Sequence, residues 1–125
     1  MLNVSSMKQN VILEKSFEFS LTIIKLYQQL IEQKEYVLSK QLLRSATSIG
    51  ANVNEGIAAQ TKKEDFIFKM SIASKEARET LYWLLLLEKS QLVKTNYQPF
   101  IEKAEELIRL LTAIVKTAQQ NESPH

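Results

Sequence analysis

Residues 38–56, LSKQLLRSATSIGANVNEG, carry the pattern that decides the fold class. Apolar or small side chains recur there at steps of three and four, the spacing of one face of an α-helix. The members of this face are Leu38, Leu42, Ser45, Ala46, Ile49 and Val53. Gly50 weakens a helix interior by about 1 kcal/mol relative to Ala, so it needs a packing reason such as close approach of a neighbouring helix. Gly56 is interpreted as a fraying helix end or a kink. The sequence predicts a helix over residues 36–59.

A second helix is predicted over residues 10–34, with Asn10 as its N-cap. Two apolar stripes lie side by side in it, and together they cover about 220° of the helix surface. One stripe contains Phe17, Leu21, Ile24 and Ile31, and the other contains Phe19, Ile23, Leu26 and Leu30. The apolar surface of this helix is therefore wider than a simple amphipathic helix needs.

Two more helices are predicted over residues 61–90 and 97–119. Thr61 and Glu64 have the spacing of a capping box, with Thr61 as the N-cap. The last helix is predicted to have Asn96 as its cap, and Pro99 in its first turn loses no internal hydrogen bond. The predicted connections are short, so consecutive helices should run antiparallel. The sequence predicts one all-α domain over residues 1–125, an antiparallel up-down-up-down four-helix bundle with flexible ends at 1–9 and 120–125.

The composition excludes several kinds of chemistry. The 125 residues include no Cys and one His, His125 at the end of the chain. Thiol catalysis, Ser–His nucleophilic systems and di-iron sites built on Glu-x-x-His motifs are therefore not expected. The sequence predicts no catalytic residues, no metal, no cofactor and no small-molecule substrate. An enzyme or metal protein is kept only as the weakest of three functional hypotheses.

The apolar runs are too short for a membrane span. The longest, residues 81–87, is far below the ~20 residues that a transmembrane helix requires. The start of the chain also lacks a charged segment followed by an apolar one, as a signal peptide would have. We therefore expect a cytoplasmic protein with no membrane partner.

A polar stripe flanks the apolar face of the helix at 36–59. Its members are Arg44, Ser48, Asn52 and Glu55, which lie within about 80° of one another. One interpretation is a surface that holds RNA, protein or another ligand. The other, which we favour, is structural, with Arg44 and Glu55 bonded to other helices or to a neighbouring subunit.

Basic residues cluster near the start of the third predicted helix. Lys62 and Lys63 are adjacent, and Lys69 follows one to two turns later. Together with Arg44 they are candidate contacts for nucleic-acid phosphates. The alternative is an ordinary solvated turn, since the net charge is only +2 and Glu64 and Asp65 follow at once.

Apolar residues in excess of one core suggest self-association. The candidate interface residues are Tyr82, Trp83 and Leu86 of the run at 81–87, with Phe19 and Ile23 of the first helix. The alternative is a third helix that is simply buried on all sides. We favour an oligomer interface, since several wide apolar faces occur together.

The stretch QLLRSATSIGANVNEG at residues 41–56 resembles the hallmark of a bacterial four-helix-bundle family, the proteins encoded in 23S rRNA intervening sequences. Further matching pieces are EKSFEF at 14–19, KKEDF at 62–66, SIA at 71–73, KEARET at 75–80 and EEL at 105–107. The resemblance covers residues 11–118 and is specific in combination rather than in any one piece.

The resemblance implies a four-helix bundle that assembles as a homo-oligomer, a pentameric ring. A related branch, the accessory variability protein of diversity-generating retroelements, forms a basic ring that binds a reverse transcriptase and nucleic acid. Our first functional hypothesis is therefore a non-enzymatic oligomer that binds RNA or a ribonucleoprotein partner through Lys62, Lys63, Lys69 and Arg44. The alternative is a protein-interaction scaffold without nucleic-acid binding.

Overall fold

Four long helices make up almost all of the structure. The computed structural model describes the backbone of residues 4–58 and 62–122 and the side chains of residues 9–58 and 62–120. The helices are α1 (Val4–Glu32), α2 (Leu38–Ala58), α3 (Lys63–Ser90) and α4 (Gln98–Glu122), and the described residues contain no strand. The prediction of an all-α fold with four helices is confirmed.

The ends of the helices differ from the predictions in three places. α1 begins at Val4, so Asn10 lies inside the helix and is not its cap, and residues 4–9 are helical. α4 continues to Glu122, beyond the predicted end at 119. The N-cap of α3 is Lys62, which makes no side-chain cap hydrogen bond, so Glu64 stands at the second helical position rather than the third. The predicted cap Thr61 and the extreme ends, 1–3 and 123–125, lie outside the described residues.

Side-chain caps at two other helix starts are well formed. The Asn96 side chain accepts a hydrogen bond from the backbone N–H of Gln98 at 3.2 Å, so it caps α4 as predicted, but from one residue before the N-cap position, which Tyr97 occupies. The carboxylate of Glu35 accepts the backbone N–H groups of Val37, which precedes α2, and of Leu38 and Ser39, its first two residues, at 3.1, 3.1 and 2.6 Å. These bonds satisfy donors that have no partner within the helix, and the carboxylate also suits the positive end of the helix dipole.

The contacts between side chains show that neighbouring helices run antiparallel. Along α2, Arg44 faces Glu76 of α3, while Glu55, further on, faces the earlier residue Lys69. α1 packs against α2 and α4, and α3 packs against the same two helices. α1 and α3 therefore run in the same direction at diagonally opposite corners of the bundle. The α1–α4 contact is the narrowest of the four, and it includes an exposed ion pair between Lys15 and Glu106 at 3.3 Å.

A single hydrophobic core runs through the centre of the bundle. Every helix contributes side chains that are almost completely buried, including Phe19, Leu42, Met70 and Leu107. Full burial of a side chain of this size contributes roughly 1.5–3 kcal/mol, so the core is the main source of stability.

Both glycines of α2 lie where another helix comes close. A Cβ at Gly50 would lie 3.4 Å from the Ser20 hydroxyl oxygen of α1, an ordinary contact distance. A Cβ at Gly56 would lie 3.0 Å from the Cβ of Lys69 on α3, which is tighter than normal packing allows. α1 approaches Gly50 but leaves room for a Cβ, so the close packing predicted for Gly50 is found at Gly56 instead. Gly56 neither ends nor frays the helix, since α2 continues to Ala58 and Gly56 is buried.

Candidate functional site

The seam between α2 and α3 holds most of the predicted polar residues. At its centre, the hydroxyl groups of Ser45 and Thr80 are hydrogen-bonded to each other at 2.9 Å, and both residues are fully buried. Two hydroxyl groups in the core satisfy each other here and fix the register of the two helices.

Arg44 binds two carboxylates of α3 at the edge of this seam. Its Nη1 lies 3.2 Å from Oε2 of Glu76, and its Nη2 pairs with Oε2 of Glu79. The same Glu79 oxygen accepts a hydrogen bond from Nε1 of Trp83 at 3.1 Å. The Trp83 hydrogen bond holds the pKa of Glu79 below its usual range, with the Arg44 hydrogen bond and positive charge acting in the same direction against partial burial.

The remaining members of the polar stripe also have partners within the chain. The side-chain amide of Asn52 donates to the backbone carbonyl and the hydroxyl of Ser48, at 2.8 and 3.0 Å. Glu55 lies 3.6 Å from the ammonium of Lys69 on α3. These contacts agree with the structural interpretation, in which Arg44 and Glu55 bond to another helix.

The four predicted phosphate contacts do not form one cluster. Lys62 and Lys63 are exposed at the start of α3, whereas Lys69 is paired with Glu55. Arg44 lies beside Glu76, roughly 20 Å along α3 from Lys63. Two of the four cations are thus neutralised by carboxylates, and the other two stand apart from them.

The predicted interface residues fall into two groups. Phe19 and Ile23 are 2% and 0% exposed, so they belong to the core of the single chain. This corrects their assignment to an oligomer interface, because the other helices of the same chain already cover them. On α3, Tyr82 is 57% exposed, and Trp83 and Leu86 are partly exposed. The rings of Tyr82 and Trp83 meet edge to face, with their centroids 5.1 Å apart.

Two exposed apolar faces result, at opposite corners of the bundle. The α1 face consists of Phe17, Leu21 and Ile24, which are 60%, 49% and 38% exposed. The α3 face consists of Tyr82, Trp83, Leu85 and Leu86, of which Leu85 is 40% exposed. Both stripes predicted for the first helix are therefore real, and it is the stripe of Phe17 rather than that of Phe19 that faces outward.

The sequence pattern identifies Arg44 but not the carboxylates that bind it. Glu76 and Glu79 were not singled out, since only the register of α2 against α3 brings them to Arg44. Glu35 was missed because Glu is an uncommon residue at a helix cap.

Within residues 9–58 and 62–120, no three His, Cys, Asp or Glu side chains come together as metal ligands would. No helix in the described parts of the chain is long and apolar enough to cross a membrane.

Comparison with known proteins places this bundle in a family. The family model described as 23S rRNA-intervening sequence protein matches residues 8–113. The chain belongs to this family. Residues 8–113 include all of α2 and α3, and with them every polar contact of the α2–α3 seam.

A solved structure supports the membership. It is a protein of unknown function from the S23 ribosomal protein family of Bacteroides thetaiotaomicron VPI-5482, 48% identical to this chain. The similarity covers 87% of this chain and 98% of that one, with a TM-score of 0.82. No curated protein matches the chain significantly. Membership in the family therefore establishes the fold of this chain and leaves its activity open.

Proposed function

We propose that this member of the family is a non-enzymatic scaffold that assembles with copies of itself and presents the resulting ring to a protein partner. The observation that carries the proposal is the pair of exposed apolar faces on α1 and α3. Large aromatic side chains such as Phe17 and Tyr82, 60% and 57% exposed, favour burial in an interface.

The placement of the two faces favours head-to-tail assembly. They are different surfaces at opposite corners of one chain, so the α1 face of one copy can cover the α3 face of the next. α1 and α3 run in the same direction, and Ile24 and Tyr82 each lie about 12 Å before the end of their helix. The heights of the two faces coincide only at this edge, since Phe17 lies about 22 Å and Leu86 about 6 Å before those helix ends. We propose the pentameric ring that the family resemblance implies.

The charges favour a protein partner over nucleic acid. Arg44 and Lys69 are engaged by carboxylates of the same chain, and the net charge of each copy is +2. An RNA or ribonucleoprotein partner is the second candidate. It is supported by the exposed pair Lys62 and Lys63, and by the naming of the family after rRNA intervening sequences.

Mass measurement and RNA binding test the two candidates on one preparation. Light scattering of nuclease-treated protein should give about 72 kDa, five chains of 14.4 kDa each. Fluorescence anisotropy with labelled RNA at several salt concentrations then separates the partners. If the partner is a protein, the labelled RNA should not bind even at low salt. Binding that falls steeply with salt, and that weakens in Lys62→Glu/Lys63→Glu, would favour the RNA candidate instead. A monomer at all concentrations would refute the assembly.

A further inference from the structure

The groove between α3 and α4 differs from the rest of the surface in its chemistry. It has a volume of about 260 Å³, and six of its seven lining residues carry a hydrogen-bond donor in the side chain. The lining residues are Ser71, Ser74 and Arg78 of α3 and Thr112, Val115, Lys116 and Gln119 of α4. Neither wall contributes a carboxylate to this lining, although Asp and Glu make up 14 of the 125 residues.

The antiparallel packing of α3 against α4 brings these donors together. Arg78 lies opposite Thr112, with its Nη2 donating to the Thr112 hydroxyl oxygen at 3.1 Å. Ser71 lies two turns earlier on α3, and Gln119 two turns later on α4, so both reach the other end of the groove. The lined segment is roughly 10 Å long, with a cation on each wall.

The two cations of the groove are not neutralised as Arg44 is. Among the described residues, neither Arg78 nor Lys116 forms an ion pair with a carboxylate. Arg78 uses one of its five N–H donors on Thr112, which anchors its side chain at the groove and leaves the other donors for a ligand.

We propose that this groove binds a phosphate group. A tetrahedral oxyanion has acceptor oxygens pointing in several directions, which suits donors on two facing walls better than a planar carboxylate does. The guanidinium of Arg78 would supply paired donors and Lys116 a point charge, while the hydroxyl groups of Ser74 and Thr112 complete the shell. The groove is open to solvent, so the phosphate can be free, belong to a nucleotide, or be part of an RNA backbone.

Calorimetry with inorganic phosphate tests the site on the full-length assembled protein. Titrations are run at constant ionic strength, with chloride as the reference anion, so that general screening cancels. Arg78→Gln and Lys116→Gln should each weaken phosphate binding about tenfold, since each removes a charge-assisted hydrogen bond. Arg109→Gln is the matched control. It removes the same charge from an exposed position on α4 that does not line the groove, and it should leave the affinity unchanged.

A labelled single-stranded RNA distinguishes the sources of the phosphate. RNA binding that phosphate competes away, and that Arg78→Gln weakens, supports an RNA phosphodiester as the occupant. Phosphate binding without RNA binding supports free phosphate or a nucleotide. Equal weakening by Arg109→Gln and Arg78→Gln would overturn the proposal, as would no binding of phosphate beyond that of chloride. Circular dichroism checks that each variant is folded. If Arg78→Gln does not fold, the phosphate affinity of Lys116→Gln tests the proposal.

Discussion

Arg44 of α2 places its Nη1 3.2 Å from Oε2 of Glu76 on α3, although Glu76 is only 8% exposed and Arg44 is about half exposed. A carboxylate so poorly hydrated is costly unless a cation and hydrogen bonds compensate it. The arginine provides this compensation from the solvent side, and its second nitrogen pairs with Glu79. The predicted phosphate contact thus serves to hold two helices together.

Loss of this contact should lower stability. In Arg44→Gln, the free energy of unfolding is expected to fall by about 1–3 kcal/mol, because Glu76 loses its cation. Lys40→Gln removes a positive charge from another exposed position on α2 and should leave the free energy of unfolding almost unchanged. Urea unfolding measures both. The double variant Arg44→Gln/Glu76→Gln should recover part of the loss, and equal stability of Arg44→Gln and Lys40→Gln would contradict this role of the pair.

The lowered pKa of Glu79 makes stability depend on pH at the acid end. A carboxylate whose pKa is lower in the folded than in the unfolded state stabilises the fold above its usual pKa of 4.5. That contribution is lost as the pH falls below 4.5 and through the lowered folded-state value. Glu79→Gln should therefore lose less stability than wild type between neutral pH and pH 3, with Trp83 fluorescence as the readout. Glu105→Gln, an exposed carboxylate on α4, should follow the wild-type curve.

The two glycines of α2 should respond in opposite ways to alanine. Gly50→Ala meets Ser20 at an ordinary contact distance, so the gain in helix propensity should dominate and raise stability by up to about 1 kcal/mol. Gly56→Ala meets the Cβ of Lys69 at 3.0 Å, close to the α3 backbone, and should lower the melting temperature. Thermal unfolding of the two variants side by side tests the comparison. A gain in Gly56→Ala would mean that the helices separate at little cost.

Head-to-tail assembly predicts a specific result when two defective variants are mixed. Phe17→Glu spoils the α1 face and Tyr82→Glu spoils the α3 face, so each variant alone should be monomeric. Each keeps the face that the other has lost, and an equimolar mixture should form a heterodimer that light scattering detects. Tyr36→Glu, at an aromatic residue that is 61% exposed outside both faces, should leave the assembly intact. If one variant keeps the wild-type mass, or the mixture stays monomeric, head-to-tail contact is ruled out.

The four helices could be predicted from the sequence because apolar spacing is a local property. The role of Asn96 at the start of α4 could be predicted for the same reason, since cap preference depends on residues close in sequence. Phe19 and Phe17 show what local spacing does not predict, namely which of two apolar stripes is buried. Both stripes of α1 are apolar, and only the positions of α2 and α4 decide that the Phe19 stripe is buried and the Phe17 stripe exposed.

Arg44 shows the same limit for the candidate site. Its charge is evident in the sequence, but its neutralisation depends on residues 32 and 35 positions later, which the register of α2 against α3 brings beside it. The expectation that Lys62 and Lys63 lie near a helix start is met. Their distance from Arg44 follows only from the register of α2 against α3, which the sequence does not specify.

The unequal seams of the bundle have a consequence for how it opens. α2 and α3 are joined by the Arg44 and Glu55 ion pairs and by the buried Ser45–Thr80 bond, whereas α1 meets α4 over a narrow contact with an exposed ion pair. Sub-global opening begins where the fewest buried contacts must break. Amide protons of α1 should therefore exchange with solvent deuterium before those at the centre of the α2–α3 hairpin. Because α1 also carries one of the two faces proposed for assembly, formation of the proposed ring would slow that exchange and make it depend on protein concentration.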